Sequence, residues 1–248
     1  MRIFVILYFF LFSFGIYAQV VNIEKKRFNN SNKTLQGSIG LSLNFTHTTK
    51  DVFQVKNNLK LQYYKNRNLW LFFHDLSIMK ANSENFINNG FQHIRYNYQF
   101  DIKWLVAEAF TQIQYNELQS LQRRFLWGAG GRFILINKEN IYLYSGLSIM
   151  YEFELLKDDS HSDVIRNSSY VSISFNINES VKFNHITYYQ PKIDYFDDYR
   201  ISSETSLMIK MLKNLDYKVS FNYTYDSKPP TDVQNLFYNL INGISYKF

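Results

Sequence analysis

The sequence contains no cysteine. No disulfide, thiolate metal site or thiol nucleophile is therefore available. Proline occurs three times and glycine nine times in 248 residues. After the first sixteen residues no stretch is long and apolar enough for a spanning helix, which excludes a helical inner-membrane protein. Basic clusters are also missing. The formal charge is +6 and the pI about 9.2, yet Lys and Arg are scattered singly, so no nucleic-acid partner is expected. The five histidines (His47, His74, His93, His161, His185) lack metal-ligand spacing such as H-E-x-x-H. No metal or cofactor is expected.

What is abundant is aromatic. Tyr (20) and Phe (23) dominate, and aromatic and β-branched richness favours strands. Mean hydropathy is only −0.28, as a barrel shows when alternate residues alone meet lipid.

Both ends carry signals. Met1-Arg2 precede an apolar run, Ile3 to Ile16, and Tyr17-Ala18-Gln19 offers a small residue for cleavage. This pattern predicts a signal peptide over 1–18. Its removal takes Arg2 away and leaves 26 basic against 21 acidic residues, a charge of +5. Residues 19–33 are polar and aperiodic and read as a periplasmic lead segment. At the other end Leu240, Ile244, Tyr246 and Phe248 alternate with small or polar residues. A final aromatic strand looks like the terminal strand of a bacterial outer-membrane barrel. Tyr246 and Phe248 are then the candidate insertion signal, and the barrel-assembly machinery is an expected partner.

Residues 34–248 read as repeated strands with period two. Leu41, Val55, Ile149 and Phe221 fall on apolar faces; Ser42, Lys56, Ser148 and Asn222 fall on polar ones. Residues 69–80 are apolar on both faces at first, and 181–190 can be phased either way. Short turns at Lys65–Asn68, Asp101–Lys103, Asn137–Asn140, Asn178–Ser180 and Lys213–Asp216 alternate with longer polar links at Ala81–Asn89, Glu117–Arg123, Leu155–Arg166, Pro191–Tyr199 and Ser227–Gln234. All three prolines lie in the longer links, where no ladder hydrogen bond is lost.

The expected fold is all-β: a closed antiparallel transmembrane β-barrel of about 12 strands. Aromatic residues near strand ends (Tyr63, Tyr64, Trp70, Trp104, Trp127, Tyr225, Tyr246) fit interfacial girdles. The greasy face should meet outer-membrane lipids. Lys56, Lys60, Arg95, Glu108, Arg132, Glu152, Glu154, Lys182, Glu204, Lys210 and Lys218 should line the lumen and pair across it. A soluble periplasmic β-barrel would reverse the faces.

The stretch Arg95 to Ile136 carries a strand, a tight turn, a strand with Glu108, and then Arg123-Arg124 before Trp127-Gly128-Ala129-Gly130-Gly131. It resembles the outer-membrane barrels of domain-of-unknown-function family 481, sometimes called salt-induced outer-membrane proteins. The resemblance spans residues 19–248 in layout and this third in motif. It implies an outer-membrane barrel and no established activity.

Enzyme signals are weak. A phospholipase-like barrel needs a His and a Ser two residues apart on one strand face. Here His161-Ser162 are adjacent, and His74 and Ser77 fall on opposite faces. The glycine run lacks the Lys-Ser/Thr of a phosphate loop; small residues in a strand make room for a bulky group opposite. The loop Lys157–Asp163 clusters three Asp residues and reads as a solvated outer loop. The expected role is a non-enzymatic barrel: a small pore, an envelope-integrity protein or a surface protein. The alternative is a lipid- or envelope-modifying barrel enzyme.

Overall fold

A computed structural model describes residues 34–47, 51–81, 84–213, 215–229 and 233–246. The expected signal peptide and lead segment, and Phe248, lie outside the described residues. Twelve strands follow one another: β1 (Leu35–His47), β2 (Asp51–Lys65), β3 (Asn68–Ala81), β4 (Glu84–Gln99), β5 (Leu105–Asn116), β6 (Leu121–Lys138), β7 (Ile141–Leu156), β8 (His161–Asn176), β9 (Val181–Pro191), β10 (Tyr199–Leu212), β11 (Leu215–Asp226) and β12 (Leu236–Tyr246). They form one sheet in sequence order, and each strand is antiparallel to the next. The described pairings run from β1 to β12 without a ladder joining those two.

The sheet is rolled. Strands three apart in a flat sheet lie about 14 Å apart. Yet Arg200 on β10 reaches Glu152 on β7 at 2.7 Å, and Tyr170 on β8 reaches Glu108 on β5 at 3.1 Å. Such chords exist only if the polar face is concave.

Alternation sets the faces. Along β7 the even positions Met150, Glu152 and Glu154 are buried, while Leu147 and Ile149 are exposed, Ile149 at 60 %. Phe221 is 43 % exposed and its neighbour Ser220 is buried. Large apolar side chains thus cover the convex wall. Aromatic rings pair on the convex wall: Trp70 against Tyr96 and Trp104 against Phe133 towards the short turns, and Trp127 against Tyr151 further along β6 and β7. Rings with a polar handle settle at a membrane–water boundary.

Two of the expected long links, Ala81–Asn89 and Leu155–Arg166, are largely strand, and Glu117–Arg123 is a 3₁₀ turn (Glu117–Gln119) running into the next strand. β4 begins at Glu84, β6 at Leu121 and β8 at His161, so the links Ala81–Asn89, Glu117–Arg123 and Leu155–Arg166 shrink to tight connections. Crossing a bilayer takes about 9–11 tilted residues, whereas β6 has 18 and β7 and β8 have 16. Beyond that length both faces can be polar, as at His161, Ser162 and Asp163 on β8, all exposed, while the ladder still satisfies the backbone. The links after β9 and β11 remain the long ones.

The concave face is not uniformly polar. Leu71, Phe73 and Phe91 form a buried apolar cluster on β3 and β4, which accounts for the two-sided apolar pattern of residues 69–80. Glycines on β6 and β7 make room inside. A Cβ at Gly146 would fall 2.0 Å from the Tyr170 ring, and one at Gly128 would meet Phe110 and Met150 below 3 Å.

Candidate functional site

The rolled interior brings together side chains far apart in sequence. At the end where β6, β8 and β10 begin, a charge network draws on five strands and on the link between β9 and β10. Arg200 contacts Glu152 at 2.7 Å, Glu154 at 3.0 Å and Asp226 at 2.8 Å. Arg166 contacts Glu152 at 2.9 Å and Asp198 at 2.9 Å. Arg124 pairs with Glu154 and lies 3.6 Å from Glu152. Lys192 closes the set on Asp198 at 3.0 Å. Four cations meet four carboxylates, so the network is neutral as a whole. Arg124 and Glu152 are each only 1 % exposed. Charges this deep are tolerated because each is paired and hydrogen-bonded. Arg166 also donates to the carbonyls of Gln190 and Asp198, at 3.3 and 3.2 Å.

Asp198 sits in the link between β9 and β10. Burial pushes its carboxyl up, but Lys192 and Arg166 more than offset this and hold it below its ordinary value.

A second set lies nearer the short turns. Glu108 accepts from Asn97 at 2.6 Å and Tyr170 at 3.1 Å, with Arg95 at 3.5 Å. Arg95 also lies over the Phe110 ring at 5.3 Å, and Arg132 over Tyr144 at 4.0 Å. His93 stacks between Phe91 and Phe110 and contacts Gln112 at 3.1 Å. Across β10 and β11, Glu204 faces Lys218 at 3.6 Å.

At the short-turn rim a cavity of about 560 Å³ opens, lined by Lys182, Met208, Lys210, Asp216 and the turn residues Asn140 and Asn178.

Each sequence-predicted lumen residue can now be placed. Arg95, Glu108, Arg132, Glu152, Glu154 and Glu204 are buried on the concave face. Lys56, Lys60, Lys182 and Lys218 are half-buried there, and Lys210 is exposed at the short-turn rim. Tyr246 pairs through its backbone with Leu215. Sequence reasoning left Arg166, Arg200 and Asp226 out of the lumen charges, and it used Arg124 only as part of a motif. All four flank loops in the sequence. The signal was present in the alternating rows Arg166-Ser168-Ser172 and Arg200-Ser202-Glu204-Ser206, whose members are all buried.

The enzyme and cation candidates separate in space. Ser77 is buried on the concave side, whereas His74 has the convex-face parity. His161 and Ser162 are exposed at the start of β8. Asp158 accepts from the Ser160 amide and hydroxyl, which hold its carboxyl below its ordinary value. Asp163 accepts instead from Tyr151. Among the described residues no three metal-ligating side chains converge.

No match was found among curated proteins. Among solved structures, the NanC porin superposes with a TM-score of 0.51 at 11 % identity, covering 84 % of this chain and all of that one. The KdgM porin in complex with disordered oligogalacturonate gives 0.43 at 12 % identity over 83 % and 98 %. The DcaP outer membrane channel of Acinetobacter baumannii gives 0.39 at 7 % identity over 78 % and 84 %. The NanC likeness shows the fold: an all-β, 12-stranded antiparallel sheet of the outer-membrane porin type. Residues 22–248 match the family described as protein of unknown function, DUF481. An interior lined with buried ion pairs, an apolar convex wall and a family match over nearly the whole chain agree, and this chain belongs to the DUF481 family.

Proposed function

We propose that this protein resides in the outer membrane as a closed, non-enzymatic barrel and acts as a narrow pore whose resting interior is shut by its own side chains. The observation that carries this reading is the inverted distribution of polarity. Charged residues such as Arg124, Glu152 and Arg166 are buried, while Trp127, Ile149 and Phe221 face outward. A water-soluble barrel would bury the second set. Hydrocarbon offers no partner to an open sheet edge, and each unsatisfied group costs several kcal/mol. Closure of β1 on β12 is therefore required in lipid.

The short-turn rim would face the periplasm, with the 560 Å³ cavity as a vestibule on that side. The neutral Arg–carboxylate network would occlude the opposite mouth, and Leu71, Phe73, Phe91 and His93 would fill part of the middle. Porin-like lumina select solutes through rings of charged side chains; here the charges neutralise each other, which favours a closed resting state.

Two measurements test this. Purified protein in detergent should show a heat-modifiable gel shift and should not fractionate as a soluble periplasmic protein. In planar bilayers the unmodified protein should show little steady conductance, and Arg200→Ala should raise it. A large steady conductance from the unmodified barrel refutes occlusion; recovery in the soluble fraction refutes the membrane reading.

A further inference from the structure

The mouth network is neutral, but the wall beneath it is not. Its inward charges divide by how much water they meet. Lys56 and Lys60 on β2, Lys182 on β9 and Lys218 on β11 have inward parity and are half-buried. Among the described residues below the mouth, the inward carboxylate of similar exposure is Asp75 on β3. Glu108, Glu204 and Asp216 are buried, and Asn97 and Tyr170 cap Glu108. Where a lysine meets a carboxylate, water still reaches the lysine. Lys218 and Glu204 lie 3.6 Å apart, with side chains 20 % and 7 % exposed. The water-facing set therefore holds four cations against one carboxylate. The buried set holds Arg95 and Arg132 against Glu108, Glu204 and Asp216. Together six cations face four carboxylates, and the positive surplus lies on the side that a passing ion meets.

The four lysines share one half of the wall. Closing β1 on β12 sets β9–β12 beside β1 and β2. The other half, β3 to β8, carries buried filling: Leu71, Phe73, Phe91 and Tyr170. Along their strands the lysines are spaced out. Lys182 and Lys218 lie within three residues of the short-turn ends of β9 and β11. Lys60 stands five residues, and Lys56 nine, from the short-turn end of β2. An ion moving along that half passes from one ammonium to the next.

We propose that this half of the wall is the conducting path and that it selects small anions. The inference rests on the pore reading. Lysine stays charged at neutral pH. Charges of one sign in a confined aqueous passage concentrate counter-ions by about tenfold or more, and Lys or Arg side chains are the selectivity elements of anion pores. An ammonium is a compact, strongly hydrated charge on a flexible stem. It attracts an inorganic anion or a small carboxylate without the two-point grip of a guanidinium, so the ion can leave again, as conduction requires.

The reversal potential of a planar bilayer under a potassium chloride gradient reads the sign. It is measured on the unmodified barrel and on Arg200→Ala/Asp226→Asn. That pair removes one cation and one carboxylate, so the opened mouth stays neutral. In about 0.1 M salt chloride should be preferred over potassium by about threefold or more. The preference should shrink in about 1 M salt, where the Debye length falls from about 10 Å to about 3 Å. In the opened background Lys56→Gln/Lys60→Gln should lose most of the preference, and Asp75→Asn should strengthen it. Lys60→Gln alone should shift it the same way by less, and it replaces the double lysine variant if heat-modifiable mobility shows that the latter does not fold. Preference for potassium, no preference at low salt, or a chloride preference unmoved by the lysine substitutions overturns the selectivity and leaves the pore standing. Absence of conductance from both barrels overturns the pore reading, and the selectivity falls with it.

Discussion

Replacing Arg200 with Met keeps much of the side-chain volume and removes the charge that ties β10 to β7 and β11. Three carboxylates lose a partner at 2.7, 3.0 and 2.8 Å. Glu152 retains Arg166 and Arg124, and Glu154 retains Arg124. The network then holds three cations against four carboxylates in a nearly water-free setting. Breaking a buried pair by removing one partner costs about 3–5 kcal/mol, because the remaining charge is left uncompensated. An exposed pair is worth about 0–1 kcal/mol. The two magnitudes are far enough apart to decide whether the interior is dry. Unfolding of detergent-folded protein, followed by the loss of heat-modifiable mobility across a urea series, measures the difference. Arg200→Met should lose about 3 kcal/mol or more, and the double variant Arg200→Met/Asp226→Asn should recover part of it, since neighbouring charges couple by about 0.5–3 kcal/mol. A loss below about 1 kcal/mol in the single variant, with no recovery in the double, would mean that water already reaches these groups and that the mouth is open.

Three further outcomes follow from the same geometry. Phe221→Lys places a charge on the convex wall and should cost about 2–4 kcal/mol if that wall meets hydrocarbon, while the adjacent concave-side Asn222→Lys should cost far less; equal effects in the unfolding assay would contradict the lipid assignment. Gly146→Val must displace the Tyr170 ring, which sits 2.0 Å from the added Cβ and bonds Glu108, so a loss of about 1–3 kcal/mol is expected and a neutral result would refute the packing. The depressed Asp198 carboxyl stabilises its link above its unfolded value near pH 4, and that contribution vanishes as pH falls through the lower folded value; protease cleavage between β9 and β10 should rise on acidification below about pH 4, and Asp198→Asn should flatten the dependence.

Much of the architecture was legible because period two leaves little freedom. A one-residue slip exchanges every side chain between lipid and interior, so the rows through Val55, Ile149 and Phe221 placed strands, faces and count together. Glu152 and Glu154 were readable as interior residues for the same reason. Residues 181–190 resisted phasing because His185 and Thr187 are outward and polar while Ile186 and Tyr188 are inward and buried, which erases the local contrast between the faces. Arg166 and Arg200 escaped because each begins the polar part of a strand beside a link, where sequence alone cannot separate ladder from loop. Their pairing was beyond reach from any local window. Arg200 and Glu152 are 48 residues apart and meet only through the curvature of the whole sheet.

That separation constrains how the chain can enter a bilayer. Neutrality of the mouth requires contributions from β6, β7, β8, the link after β9, β10 and β11, and its last member, Asp226, arrives about a hundred positions after Arg124. A half-inserted ribbon ending at β8 would hold Glu154 without Arg200 and Arg166 without Asp198, each at the edge of an oily phase. Stepwise threading would therefore stall at mid-chain, whereas a ribbon curled before it crosses presents compensated charge from the outset.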